Sequence, residues 1–301
     1  MTDKRTLGFV GLGAMGGPMC RNLIKHCASP TFVYDVDESR MICAVAEGAQ
    51  TAKSVAELVE RVDIVFLCLP GEPEVRDVAF GRGRLAECVR AGQTIVDMST
   101  ATVRIAHELN TELARRGVDF ADAPVAKGVP SAVDGSLSIM VGAGADVFRR
   151  IKPYLGCMGT EVNHCGDVGT GQVVKLMNNM LLFQTVSALA ETLAVGTRAG
   201  VDGQKLFEVL SKGSADSFAL RRHGAYMAER NYPDDLFPSR YSLKDLDYAL
   251  QLASEMGVEA HGAELAASRL RKVIDRGLGN RYSPVIYELF QMIEDDKCRE
   301  S

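Results

Sequence analysis

The eight cysteines, at positions 20, 27, 43, 68, 88, 157, 165 and 298, include no Cys-x-x-Cys pair, and the five histidines are scattered. No metal site is expected, and the cysteines read as thiols of a reducing compartment rather than as a disulfide framework. A basic tail or stripe is also missing, and the net charge is −5. That balance argues against nonspecific nucleic-acid binding. The apolar run nearest the N-terminus, Leu7–Gly13, is short and reads as a first strand rather than a signal peptide. A cytoplasmic protein is therefore expected. Neither internal repeats nor low-complexity segments are visible. With 301 residues, 47% hydrophobic and 24% charged, the chain has room for two domains and a substantial core.

The first half alternates short β-rich runs with amphipathic stretches. Strands are expected at Leu7–Val10, Thr31–Tyr34, Asp63–Leu69, Thr94–Met98, Val118–Ala121, Leu137–Val141 and Glu161–Cys165, with helices such as Arg40–Glu47, Val55–Arg61 and Arg104–Arg116 between them. Such alternation implies βαβ units, a mostly parallel sheet and helices on both faces. After Gly171 strand signals nearly vanish. Gln172–Val195 reads as one long helix, too polar for a membrane span because Gln172, Lys175, Asn178, Asn179, Gln184 and Glu191 interrupt it. Further helices are expected near Gln204–Ser211, Phe218–Arg230, Leu243–Met256, Gly262–Asp275 and Pro284–Lys297. The expected architecture is α/β: a Rossmann-type doubly wound domain over 1–166, then an all-helical domain over 167–301. The latter carries more apolar helix surface than it can easily bury alone, which points to a homodimer or homotetramer.

At the first strand-to-helix junction stands Gly11-Leu12-Gly13-Ala14-Met15-Gly16. In a Gly-x-Gly-x-x-Gly turn the first glycine permits the tight bend, the second lets backbone approach a pyrophosphate, and the third lets helix and strand pack closely. Free amides at the helix start then face the anion. The second strand leads into Asp35 and Val36, and Asp35 lies nineteen residues after Gly16, where a carboxylate can accept a ribose 2′-hydroxyl. These residues read as a dinucleotide site with NAD favoured over NADP, because Asp35 would repel a 2′-phosphate; Arg40 is the opposing feature. In such sheets ligands border the carboxyl ends of the strands. Leu69 and Pro70 after the third strand and Thr100 after the fourth are therefore expected near cofactor. Ser99, and Ala126-Lys127-Gly128 after the fifth strand, are expected near a substrate carboxylate.

Lys175, Asn178 and Asn179 are spaced i, i+3 and i+4 on the long helix. An amine and two amides on a largely apolar helix are costly unless something satisfies them. A buried amine has its pKa lowered by desolvation, which suits a general acid/base. A solvated polar stripe is the plainer alternative. Lys244-Asp245 reads, taken alone, as a surface charge pair at the opening of a helix.

Together these segments resemble the β-hydroxyacid dehydrogenase family, over nearly the whole chain. Phe9-Val10-Gly11-Leu12-Gly13-Ala14-Met15-Gly16-Gly17-Pro18-Met19-Cys20-Arg21-Asn22 is similar to the family's N-terminal signature, with Cys20 where serine or alanine is usual. Gly169–Asn179 resembles its catalytic helix, and Ser242-Leu243-Lys244-Asp245-Leu246 its lysine–aspartate motif. The resemblance implies that Lys175 is the acid/base, that Asn179 is its amide partner, and that Lys244 reaches toward cofactor; Asn178, from its spacing on the same helix, is expected beside the substrate. It implies hydride transfer between NAD and a small 3-hydroxy acid lying between the two domains, and an oligomer. An imine reductase or semialdehyde reductase of the same superfamily is the alternative, and a catalytically silent dinucleotide-binding protein is a third. Lys175 argues against the first and last. Two departures stand out. The family's substrate loop usually reads D-A-P-V-S-G-G, and here Ala126 and Lys127 replace serine and glycine. Val103 replaces the proline of Ser-Thr-x-x-Pro.

Overall fold

The computed structural model describes residues 5–234 and 236–291. The chain divides into two compact units, the first ending at Lys175 and the second beginning at Leu176.

The first unit is built on nine strands: β1 (Leu7–Val10), β2 (Thr31–Tyr34), β3 (Gln50–Thr51), β4 (Ile64–Leu67), β5 (Thr94–Asp97), β6 (Asp119–Asp122), β7 (Val125–Ala126), β8 (Leu137–Gly142) and β9 (Gly159–Gly166). Their order is β3-β2-β1-β4-β5-β6-β8-β7, with β9 pairing β8. From β3 through β6 every pairing is parallel. β8 runs antiparallel to β6 and β7, and β9 parallel to β8. The chain leaves β1 for β2 on one side and returns to β4 on the other. The crevice at that reversal is where a doubly wound sheet receives its ligand.

The fully apolar strand β4 shows why the sheet is central. Ile64 and Phe66 pack into one core with Leu7, Phe9 and Val96. Val65 and Leu67 pack into the other with Val10, Ile95 and Phe120. Alternate side chains thus feed two cores, one on each face, as a strand buried on both sides requires.

Two strands are absent from the sequence reading. β3 and β7 have two residues each, too few to show a period, and both β3 residues are exposed. Helices Glu72–Phe80 and Ala145–Leu155 also went unread. Pro73 opens the first, and Pro153 sits inside the last turn of the second, so each carries a breaker as its most prominent signal.

The second unit is helical. Its core joins Phe183, Val186, Ala190 and Leu193 of the long helix to Leu220, Met227, Leu246, Ala267, Leu270 and Ile286. The long helix runs Thr170–Arg198; against the expectation that it is too polar, it is long and apolar enough to cross a bilayer by length and composition alone, and one side of it packs into this core. The expected helix Phe218–Arg230 is not one regular helix: Leu220–Gly224 is a π turn, followed by the α turn Ala225–Ala228. Ser239–Glu255 starts four residues before the expected Leu243. Lys244-Asp245 therefore lies inside a helix rather than at its opening. The expected helix Pro284–Lys297 begins as the 3₁₀ segment Ser283–Tyr287, and its part from 292 onward lies outside the described residues.

Candidate active site

The three glycines of the first turn answer to different constraints. Gly11 has φ +92°, and a Cβ there would lie 2.3 Å from the Cys68 carbonyl oxygen. A Cβ on Gly16 would lie 2.0 Å from the Gly11 carbonyl oxygen. Both positions exclude any side chain by the protein's own packing. Gly13 is different. Its nearest neighbour to a built Cβ is Arg40 Nη1 at 3.6 Å, an ordinary contact. Nothing in the chain itself requires glycine there, whereas a pyrophosphate lying against the backbone does. This cradle fits a dinucleotide.

Asp35 is buried, and its carboxylate is fixed by backbone. Oδ2 accepts from the Leu12 amide at 2.6 Å, and Oδ1 accepts from the Asp37 amide at 2.8 Å. One acid therefore braces the glycine turn to the end of β2. Arg40 stands beside it, with Nη1 3.8 Å from Asp35 and Nε 3.2 Å from Asp37. Val36 is 89% exposed, Ala14 is exposed, and Met15 is the N-cap of helix Gly16–His26.

Across the carboxyl ends of β4, β5 and β6 the polar groups are knitted together. The Leu69 amide donates to Ser99 Oγ at 2.9 Å, and the Ser99 amide donates to Asp97 Oδ1 at 3.0 Å. Pro70 is exposed and Thr100 half-buried. Gln172, in the first turn of the long helix, has no exposed surface. Its Nε2 donates to the Ser99 carbonyl at 2.8 Å, and its Oε1 accepts from the Ala101 amide at 3.1 Å.

Asp122 closes the arrangement. At the end of β6 and fully buried, it accepts from the Gly169 amide at 2.6 Å and the Gln172 amide at 2.7 Å. A side chain from the sheet thus caps the orphan amides of the long helix. Burial raises its pKa to about 6 even though both amides favour the charged form. Space there is tight: a Cβ on Gly171 would lie 2.4 Å from the Met140 carbonyl oxygen, and one on Gly142 2.5 Å from Asp122 Oδ1.

One turn beyond Gln172 comes Lys175, 8% exposed, and four residues later Asn179, 3% exposed. Within one helix that spacing puts both on one face. Asn178 lies at the exposed edge of the stripe rather than within the buried face, and its Nδ2 donates to Asn179 Oδ1 at 2.9 Å. Asn179 Nδ2 donates in turn to Asp245 Oδ2 at 2.7 Å. Asp245 is 1% exposed, and Lys244 Nζ lies 3.0 Å from its Oδ1. Lys244 also stands over the Tyr248 ring, 5.2 Å from its centroid. The plain reading of Lys244-Asp245 as a surface pair is thereby corrected, because the aspartate is a buried acceptor for the helix amide.

The expected loop Ala126-Lys127-Gly128 is not a plain loop: Ala126, half-buried, ends β7, Lys127 is exposed and is the N-cap of helix Gly128–Asp134, and Gly128 opens that helix. Lys127 has φ +85°, in the region that favours glycine, and its Nζ donates to the Ser136 carbonyl at 3.2 Å. Gly128 follows with φ +76°. Among the described residues no cluster of three or more His, Cys, Asp or Glu is placed to hold a metal ion.

Asp122, Gln172 and Asp245 were not singled out as site residues from the sequence. Each works through partners far away in the chain, and only an acid before Ala-Pro and a glutamine opening an apolar helix hint at it.

Residues 6–166 match the family described as the NAD binding domain of 6-phosphogluconate dehydrogenase. Residues 169–287 match the one described as NAD-binding of NADP-dependent 3-hydroxyisobutyrate dehydrogenase. The chain is similar to 2-(hydroxymethyl)glutarate dehydrogenase of Eubacterium barkeri, 33% identical over 296 residues that cover 97% of each. It is 35% identical over 267 residues to 3-hydroxyisobutyrate dehydrogenase of Pseudomonas aeruginosa, covering 86% of this chain and 87% of that one. The solved 3-hydroxyisobutyrate dehydrogenase of Mycobacterium tuberculosis with L-serine superposes with a TM-score of 0.86 at 27% identity, covering 95% of this chain and 98% of the other. With a dinucleotide cradle at its first turn and a lysine–asparagine pair on its long helix, the chain belongs to the β-hydroxyacid dehydrogenase family and is an oxidoreductase of hydroxy acids.

Proposed function

We propose that this protein oxidises a small anionic 3-hydroxy acid, of the 3-hydroxyisobutyrate type, with NAD as the favoured cofactor. The observation that carries the reading is Lys175: a buried lysine one turn along a helix whose start is capped by Asp122 of the sheet and whose Gln172 ties it to Ser99 and Ala101. A general base must be held within hydrogen-bond reach of the proton it takes, and a side chain on a capped helix is better fixed than one on a loop.

A bound dinucleotide would supply the two-electron redox partner for the carbinol carbon. Lys175, as the neutral amine, takes the hydroxyl proton, and in the reverse direction its ammonium form returns that proton to the carbonyl oxygen. Asn179 orients the substrate, with its own amide held by Asp245. The Ser99-Thr100 and Ala126-Lys127-Gly128 loops receive the acid end. Gly11–Met15 and Asp35 would hold the pyrophosphate and adenosine ribose, and Leu69, Pro70, Val36 and Lys244 would be the further cofactor-binding residues.

Asp35 supports NAD over NADP. Its carboxylate is pinned by two backbone amides and cannot swing away from a 2′-phosphate. A like charge left unpaired in a partly buried site costs a few kcal/mol. Arg40 is shared between Asp35 and Asp37.

The test is absorbance of the reduced nicotinamide across a panel of 3-hydroxy acids, each run with NAD and with NADP. The panel includes 2-(hydroxymethyl)glutarate, because the exposed Lys127 ammonium in the substrate loop suits a second carboxylate. Turnover with at least one acid, and higher kcat/KM with NAD, is expected. No turnover with any of them would overturn the substrate class, and equal or better efficiency with NADP the cofactor preference.

A further inference from the structure

Cys27 and Cys157 are 130 residues apart in sequence and adjacent in space. Their Sγ atoms lie 3.2 Å apart. Cys27 is the C-cap of helix Gly16–His26, the helix whose other end forms the glycine turn. Cys157 lies just past helix Ala145–Leu155, and its thiol also donates to the Pro153 carbonyl at 3.5 Å. Both thiols are half-buried at the margin of one core. They are therefore packed tightly enough to have one geometry and open enough for a small molecule to reach. The sequence gives no hint of the pair, because nothing in the spacing links position 27 to 157.

We propose that Cys27 and Cys157 form a reversible oxidation site that takes a hydroperoxide as oxidant and closes to an intramolecular disulfide. A disulfide has an S–S length of about 2.05 Å, so closure needs the sulfurs to approach by roughly 1.2 Å, within reach of side-chain rotation. The chemistry divides between the two residues. Either sulfur can donate across this contact, and a hydrogen held on Cys27 and shared with Cys157 lowers the Cys157 pKa to about 7 and raises that of Cys27. Cys157 is accordingly the attacking thiolate. Its sulfur takes the terminal oxygen of the hydroperoxide, breaking the O–O bond and giving a sulfenic acid and one water or alcohol. Cys27 then attacks that sulfur, forms the S–S bond and releases the sulfenic oxygen as water. The two thiols lose two electrons and two protons, and the peroxide takes up both. A thiol reductant reverses the step by exchange.

The bond would close a loop of about 130 residues between the far end of the glycine-turn helix and the segment entering β9. Cross-links over loops of that length remove much of the unfolded chain's entropy. Neither cysteine belongs to the machinery assigned above.

The experiment uses the full chain, reduced, desalted and treated with an equimolar amount of hydrogen peroxide. The expected product is lighter by about 2 Da, the two thiol hydrogens, and has lost two thiols to titration under denaturing conditions. A non-reduced digest should contain one peptide pair joining Cys27 to Cys157, separated again by dithiothreitol. The melting midpoint should rise by about 4–10 °C, with turnover retained. Cys27→Ser should stop at a sulfenic acid on Cys157, trapped by dimedone, and Cys157→Ser should not react at this peroxide level. Absence of the joined peptide, pairing of either residue with another cysteine, or single variants that lose two thiols as the wild type does would each overturn the proposal.

Discussion

At the candidate site the two units hold their buried carboxylates in opposite ways. In the first, carboxylates are held by backbone: Asp35 by the amides of Leu12 and Asp37, and Asp122 by those of Gly169 and Gln172. In the second, side chains hold side chains, in the run Asn178, Asn179, Asp245, Lys244. Backbone amides cannot move without moving a helix or a turn, so the first arrangement fixes position. Side-chain links can rotate, so the second fixes chemistry with more latitude. The first unit should therefore respond to substitution with lost geometry, and the second with graded losses.

The helix that carries Lys175 gives the largest expected effect. Lys175→Ala should lower kcat by roughly 10²–10⁴, the usual contribution of a positioned acid/base. Cofactor affinity, read by fluorescence titration of the reduced dinucleotide, should change little, since the glycine turn and Asp35 are untouched. Near-normal turnover would leave the lysine a structural role only.

Asp122→Asn tests the backbone-held half directly. The asparagine oxygen can accept one amide, but its NH₂ would face the other amide donor to donor. Loss of a charge-assisted bond of about 1.5–3 kcal/mol is expected at the helix start, with kcat reduced while the KM for cofactor holds. Because burial raises the Asp122 pKa from 3.8 to about 6, the folded state binds this proton more tightly than the unfolded chain does. Its stabilising effect is complete below pH 3.8 and fades as pH rises to about 6. The stability of wild type relative to Asp122→Asn should therefore fall across that window, by on the order of 3 kcal/mol, and level off above it. Denaturant midpoints of both proteins across pH 4–7 check the slope, and a difference that stays flat would break the assignment.

The side-chain-held half should yield less. Asp245→Asn keeps an acceptor for Asn179 and removes the charge opposite Lys244. Lys244 is partly exposed and water can replace its partner, so about 1–2 kcal/mol is expected, below the figure for a fully buried pair. Turnover should fall several-fold, with the steeper change in cofactor KM if Lys244 is redirected. A loss as large as that of Lys175→Ala would erase the contrast between the units.

What could be read from the sequence follows the same division between local and distant. The glycine turn was legible because each of its constraints acts within a few residues, as was the strand alternation that gives β1 and β2 with their observed limits. Lys175 and Asn179 were legible as a helical spacing, and the family resemblance gave them roles. Asp122 carries no local signal of its partners, because they lie 47 and 50 residues on. Gln172 counted only as a polar interruption, although its amide reaches 71 and 73 residues back. Asp245 was read as exposed because its neighbour is a lysine, and only the packing of its helix shows otherwise.

The smallest expected effect comes from Lys127. A lysine at φ +85° occupies a conformation that glycine adopts without cost. Lys127→Gly should therefore leave stability unchanged or raise it by up to about 1 kcal/mol, while raising the KM for any substrate whose acid group this ammonium meets. A clear loss of stability would mean that the bond from Nζ to Ser136 outweighs the backbone strain.

The pair on the long helix is defined by a count. Asn179 shares a face with Lys175 because four steps of about 100° come nearly full circle. Inserting a single residue among positions 176–178 would leave both side chains and both ends of the helix chemically intact, yet would turn Asn179 roughly 100° away and carry it about 1.5 Å further along the axis. Substitutions in this stretch are limited by what each side chain touches. Its length is limited by phase, which tolerates no change of one.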